Sequence, residues 1–193
     1  TTELVEYGYT IVSGCMYGVD ALAHTQALES QGNTIAVLGY GFGSQVPVQA
    51  QLLQEQIIAG GGCVITEYLP FTPPTKGTFP ERNRIVAGLS LGVLVTEAAL
   101  KSGTHITAEC ALEAGREVFA VPGSIFNPFS QGTTYLLNQG AYLVNSGTDV
   151  VAQFQKVSTI PNSCPNHLDS LPLDAQAKEV VEQMYHVKDN KKY

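Results

Sequence analysis

The 193-residue chain has no tryptophan, two methionines, and not one lysine or arginine before Lys76. With a net charge of −7, that last absence excludes a protein that coats nucleic acid with its whole surface, because phosphate is repelled from most of it. No apolar run approaches the roughly 20 residues that span a bilayer, and no secretory leader is expected at the start. A soluble cytoplasmic protein without a membrane partner is the expectation. The four cysteines, Cys15, Cys63, Cys110 and Cys164, lie far apart with no CxxC pair. They read as buried thiols rather than a disulfide framework, and no His, Cys or carboxylate cluster has ligand spacing, so neither metal nor cofactor is expected. What is plentiful is apolar content: 44% hydrophobic residues against 14% charged ones is enough for one globular domain with a small appendage, and too apolar for disorder.

Apolar, β-branched segments at 10–13, 34–39, 63–68, 92–97, 118–122 and 142–145 predict strands. Helical patterns fall between them at 21–30, 49–59, 82–89, 104–114 and 133–139, and Gly32, Gly60-Gly61-Gly62, Gly115 and Gly140 follow four of these helices near the C-cap. Regular alternation with full crossover helices predicts an α/β, Rossmann-like, doubly wound and mainly parallel sheet with helices on both faces. A core over 1–154, a linker over 155–170 and a short C-terminal helical extension over 171–193 complete the expected organisation.

In such a sheet, ligands bind beside the loops that follow the strands. Those loops carry Ser13-Gly14, the 39–44 glycine run, Glu67-Tyr68, Thr96-Glu97 and Pro122-Gly123-Ser124. The cations Lys76, Arg82, Arg84, Lys101 and Arg116 gather in the same part of the chain, so a polyanion would bind there. Lys101-Ser102-Gly103-Thr104 at a helix entrance has the makings of an anion site, since small residues let backbone N–H groups approach and the helix start adds partial positive charge. Asp20 beside Gly18 reads as a helix N-cap, with His24 one turn on as a satisfied helix histidine.

SGCMYGVDALAH at 13–24, TIAVLGYG at 34–41, FPERNRIVAGLS at 79–90, VLVTEA at 93–98, KSGTHITAECALEAGREVFAVPGSI at 101–125 and GTTYLLNQGAYLV at 132–144 resemble the DprA/Smf DNA-processing family. The resemblance covers roughly 10–155 in order. It implies a non-enzymatic Rossmann-like core that binds single-stranded DNA, forms a homodimer and hands DNA taken up in natural transformation to the RecA recombinase. Lys76, Arg82, Arg84 and Lys101 would meet phosphates, with Ser13, Gly14, Asn83, Ser102, Gly103 and Thr104 beside them, and Phe79 or Tyr17 would stack a base. Arg82 or Arg84 could instead fix Glu67 or Glu97 as an internal pair. The self-association surface would use Leu112, Leu137 and Leu143, residues that helix amphipathicity alone would place in the core.

The chain departs from the family at Tyr17, where many relatives carry a basic residue, so stacking is expected in place of a phosphate contact there. It also starts near the end of the helix before TIVSG, as though without the family's first strand, and the segment 171–186 resembles the opening helix of a winged-helix appendage, with a helix docked on the core as the equal alternative. Two other functions compete. A nucleotide-binding or phosphoribohydrolase-type enzyme would use Glu97 or Glu109 near the Ser-Gly-Thr turn, although the PGGxGTxxE signature is absent. A dinucleotide site would use Gly39, Gly41 and Ser44 with Glu67, a weak match to GxGxxG.

Overall fold

A computed structural model describes residues 1–158; the expected C-terminal helix at 171–186, Cys164 and most of the expected linker lie outside these residues. Residues Thr1–Gln155 form one compact unit. Strands β1 (Ile11–Ser13), β2 (Thr34–Val37) and β3 (Cys63–Ile65) alternate with helices α2 (Val19–Glu29) and α3 (Val48–Ala59) after a short α1 (Thr2–Glu6). Helix α4 (Thr78–Leu89) leads to β4 (Gly92–Val95), α5 (Thr104–Glu113), β5 (Glu117–Ala120), α6 (Gln131–Asn138), β6 (Tyr142–Leu143) and α7 (Gly147–Ser158).

All strand pairs are parallel, as crossover helices require. The strands divide into two three-stranded sheets, β1-β2-β3 and β4-β5-β6, in place of the single sheet read from the sequence. Among the described residues β1 pairs only with β2 and β4 only with β5. Helix α4 links the two halves, packing on α5 and also touching β1 and β2.

The core follows the same division. Val95, Val118 and Ala120 meet Ala87 of α4, Ala108 and Ala111 of α5 and Leu136 of α6. Ala36 and Leu38 pack with Leu53 and Ile57 of α3 and with Cys15 and Tyr40. Small residues on α4 and α5 let the two helices approach closely. Phe119, fully buried, anchors a third cluster with Val144 and Val150, its ring 5.4 Å from that of Phe154.

The structure departs from several expectations. Helix α4 starts at Thr78, ahead of the expected 82, because Pro80 sits in the first turn where no N–H is needed. Thr75 and Thr78 exchange hydrogen bonds at its entrance, Thr75 N to Thr78 Oγ1 at 3.0 Å and Thr78 N to Thr75 Oγ1 at 3.2 Å. Residues 155–158, expected to open the linker, continue α7; Asp149 seeds that helix by accepting from Asn145 N at 2.8 Å and Ser146 N at 3.1 Å. The left-handed residue after α2 is Gln31 (φ 57°), not Gly32. Gly32 instead makes room for α1, since a Cβ there would stand 2.4 Å from a Val5 methyl. A second anchor holds α1: Glu3 Oε2 accepts from Thr148 N, 3.0 Å away at the start of α7.

Leu112 and Leu143 are exposed, so the reading of all three leucines as core holds only for Leu137, which packs partly buried against the α4–α5–α6 cluster. Cys15 is buried and Cys110 half-buried, but Cys63 is exposed at the start of the outer strand β3, where it lacks a covering neighbour; all three are free thiols. Among the described residues no helix is long and apolar enough to cross a membrane.

Candidate nucleic-acid interface

The turn after β1 is built around a buried guanidinium. Ser13 Oγ donates to Asp20 Oδ1 at 2.6 Å and Met16 N to Asp20 Oδ2 at 3.2 Å, so Asp20 ties down the 13–16 turn rather than capping α2, whose N-cap is Gly18. Gly14 lies between Asp20 and Arg82: a Cβ there would be 2.6 Å from Asp20 Oδ2 and 2.4 Å from Arg82 Nη2. Arg82 is 4% exposed; its Nη1 donates to the Val37 carbonyl and its Nε to Asn83 Oδ1 at 3.2 Å. Burial pulls its pKa down and the Asp20 carboxylate opposes that shift. Arg82 thus fastens α4 to the end of β2, and its burial leaves it no room for the expected phosphate contact, while Ser13 is engaged with Asp20, Asn83 accepts from Arg82, and Gly14 gives the guanidinium its space. His24 is buried one turn beyond Asp20, with Nδ1 2.6 Å from Thr34 Oγ1. Burial lowers its pKa more than the Asp20 charge raises it, so the neutral ring is favoured.

Over this frame opens an apolar cavity of about 130 Å³, walled by Cys15, Tyr17, Tyr40, Pro47, Leu53 and Phe79 among others. Its size approaches the ~150 Å³ apolar cavity that admits benzene. Phe79 is half-buried with its ring on Gly39, where a Cβ would be 2.8 Å from Phe79 Cδ1. Tyr17 is exposed, its Oη 3.5 Å from Gln49 Oε1. Cys15 adopts φ 99° and its thiol is pushed up to about 11 by burial first and Asp20 second, which makes it an inert wall rather than a nucleophile. Lys76 stands exposed in the turn that leads into α4 and Phe79.

A second locus lies at the entrance of α5. Ser102 Oγ accepts from Thr104 N at 3.2 Å and donates to Thr104 Oγ1 at 2.9 Å. Gly103 is the N-cap, and a Cβ on it would meet nothing within 4 Å, so the backbone is open to close approach. Lys101 is exposed beside it. Of the expected residues, Tyr17 and Phe79 line the cavity, Lys76 stands exposed in the turn before α4, and Lys101, Ser102, Gly103 and Thr104 share the helix start.

The cations have unequal freedom. Arg84 pairs with Glu67, one of the two carboxylates expected for such a pair, and Arg116 Nη2 donates to the Gly88 carbonyl at 3.3 Å. Of the cations at 76–116, Lys76 and Lys101 are the ones both exposed and unengaged. The glycine run at 39–44 is also committed: Gly41 N and Ser44 Oγ both donate to Thr72 O, at 2.9 and 2.7 Å. These glycines make room for the neighbouring chain rather than for a pyrophosphate. Glu97 and Glu109 are exposed, and among the described residues no group of His, Cys, Asp and Glu could hold a metal ion.

Sequence reasoning passed over Tyr40 and Cys15 as cavity walls and the aromatic loop that follows β5. The available signal for the loop was Phe126 and Phe129 flanking Asn127-Pro128 in a segment with no charge.

Known proteins align with this arrangement over most of its length. The chain is 47% identical over 152 residues to Protein Smf of Escherichia coli strain K12, covering 79% of this chain and 41% of that protein. The X-ray structure of DNA processing protein A from Streptococcus pneumoniae superimposes with a TM-score of 0.70 at 46% identity, covering 78% of this chain and 54% of that one. DNA processing protein A from Helicobacter pylori, whose structure was described for its single-stranded DNA binding mode, matches with a TM-score of 0.70 at 32% identity over 81% of this chain and 70% of that one. The chain spans about half the length of the curated relatives it matches. A family model for DNA recombination-mediator protein A matches residues 1–155, and together with these relatives it establishes that the chain belongs to that DNA-processing family.

Proposed function

We propose that this chain binds single-stranded DNA, with no catalytic residue of its own, and that the protein passes the strand to the RecA recombinase during natural transformation. The observation that carries the reading is the ring-sized apolar cavity walled by Tyr17 and Phe79, with the exposed Lys76 in the turn between its wall residues Pro74 and Phe79. An unstacked base has a π face for such a cavity, and its phosphates need cations close by. Lys101, Ser102, Gly103 and Thr104 offer a second phosphate locus, with charge, hydroxyls and open backbone together. A duplex hides its base faces, so preference for single strands follows from the chemistry.

The test is fluorescence anisotropy of a labelled oligo(dT) and of the matching duplex at two salt concentrations. Tight binding to the single strand alone supports the reading, and equal or no binding removes it. Lys101→Ala is expected to weaken single-strand binding by roughly 3- to 10-fold and to lower the salt slope by about 0.7, one phosphate's share. An unchanged slope takes Lys101 out of the interface. Recombinase filament growth on the protein-bound strand is the readout for RecA loading.

Dimerisation belongs to the same proposal. Exposed Leu143 on the two-residue strand β6 and exposed Leu112 on α5 are apolar side chains open to solvent among the described residues, while Leu137 packs on the core cluster. Leu143→Glu is expected to give a folded monomer in sedimentation at low micromolar concentration. A variant that still sediments as a dimer excludes this residue from the contact.

A further inference from the structure

Between Glu117 and Asp149 the sequence has no charged residue of either sign. In a chain of net charge −7 this is a stretch that supplies no carboxylate to repel phosphate. The loop within it displays Ile125, Phe126 and Phe129 at 78%, 88% and 57% exposure. Three large apolar side chains so far out of the core within residues 125–129 are a feature that packing does not explain.

The loop is firmly built. Ser124 accepts from Phe126 N through Oγ at 3.3 Å and from Asn127 N through its carbonyl at 3.0 Å. Asn127 Oδ1 accepts from Phe129 N and the Asn127 carbonyl from Ser130 N, each at 3.0 Å. The side chain of Ser130 fills the space beside Gly123, where a Cβ would stand 2.1 Å from its Oγ. The apolar groups are therefore held out from a fixed backbone, which lowers the entropy lost when a ligand settles on them.

The same loop is stitched to the segment that carries the second phosphate locus. Ala98 N donates to Phe129 O and Gly132 N to Ala98 O, both at 2.8 Å. Leu100, the neighbour of Lys101, shares with Ile125 the wall of a shallow cavity of about 250 Å³ whose other sides are the neutral Ser130, Gln131 and Thr134. Apolar faces, neutral hydrogen-bonding groups and a lysine next in the chain to Leu100 match a polyanion with exposed π faces.

We propose that Ile125, Phe126 and Phe129 form a second base platform, on which a single strand held by its phosphates at Lys101–Thr104 stacks its unpaired bases. This rests on the single-stranded DNA reading above and extends the site to residues outside the cavity. Stacking of this kind accepts any base, because every base has a π face, and it excludes duplex.

The test compares the full chain with the double variant Phe126→Ala/Phe129→Ala, using oligo(dT), the duplex, and oligo(dT) with one abasic position. The double variant is expected to keep its melting temperature, since both rings are exposed, and to lose about 10-fold or more in single-strand affinity. Its salt slope stays that of the unaltered chain, because no phosphate contact is removed. The unaltered chain is expected to bind the abasic strand more weakly than the intact one, and the double variant to lose that discrimination. If the unaltered chain binds oligo(dT) and the double variant binds equally well, the platform is overturned and the single-strand reading stands. If the unaltered chain binds no single strand, both fall. Unchanged DNA affinity with a shift from dimer to monomer in sedimentation identifies the face as a protein contact and also overturns the platform.

Discussion

Arg82→Ala is expected to lower stability by about 3 kcal/mol, the range for removing one member of a buried, hydrogen-bonded charged group. In a domain of this size that is a fall of roughly 6–12 °C in melting temperature. Three losses add up. The Val37 carbonyl loses the donor that reaches it from Nη1, Asn83 Oδ1 loses its partner, and the Asp20 carboxylate loses the nearest opposing charge while still holding the 13–16 turn. A void also opens between α4 and the end of β2, and a packed interior refills such a void only in part. Arg82→Lys keeps the charge but not the fork, so only part of the stability returns. Thermal unfolding by circular dichroism measures this directly, with Lys101→Ala as the exposed control that leaves the transition in place. A variant that lost DNA binding but melted normally would show that Arg82 faces the strand after all, and the structural role would be wrong.

Gly41→Ala produces an effect of similar size from a different cause. A Cβ at this position would lie 1.8 Å from Leu69 O, 2.8 Å from Leu69 C and 3.0 Å from Thr72 N. All three neighbours are backbone, so no rotamer change relieves the clash. The loop at 69–72 must move off the glycine run, and with it go Gly41 N to Thr72 O at 2.9 Å, Phe71 N to Phe42 O at 3.0 Å and Ser44 Oγ to Thr72 O at 2.7 Å. The expected cost is about 2–3 kcal/mol, combining overpacking with the lost bonds. Faster proteolytic cleavage near residues 69–77 is the local sign. Gly103→Ala is the control, because its Cβ would point into open space. An unchanged melting temperature and cleavage rate in Gly41→Ala would show that the two loops are not locked together.

The strand–helix alternation was legible because its signals are local. Thr, Ile and Val at 34–37 and Val and Leu at 93–95, each run following a glycine closely, read as parallel strands without knowledge of their partners. Helix α1 was legible only through the family resemblance, which put the end of a helix before TIVSG: its five residues carry too little periodicity of their own, and Val5 acquires its role only against Gly32 in another part of the chain. The same limit applies to the site. Arginines in FPERNR look alike in sequence, yet Arg82 is buried and Arg84 is 60% exposed beside Glu67. Two positions along α4 turn the side chain from one face to another, and only the packing of that helix on β1 and β2 decides which face is inside. The Ser-Gly-Thr turn was legible as an open helix entrance because small residues at an N-terminus have few other uses. Phe126 and Phe129 were overlooked because apolar residues near a strand end read as core until their exposure is seen.

The two anchors of α1 differ greatly in the time at which they become available. Val5 meets Gly32 as soon as α2 has been made, whereas Glu3 accepts from Thr148, 145 residues further along the chain. Contacts of such separation carry the largest loop-closure cost and tend to form late. During synthesis α1 can settle against α2 early but cannot close onto α7 until Thr148 has emerged. Docking of α1 onto α7 is therefore a late event in the folding of this unit.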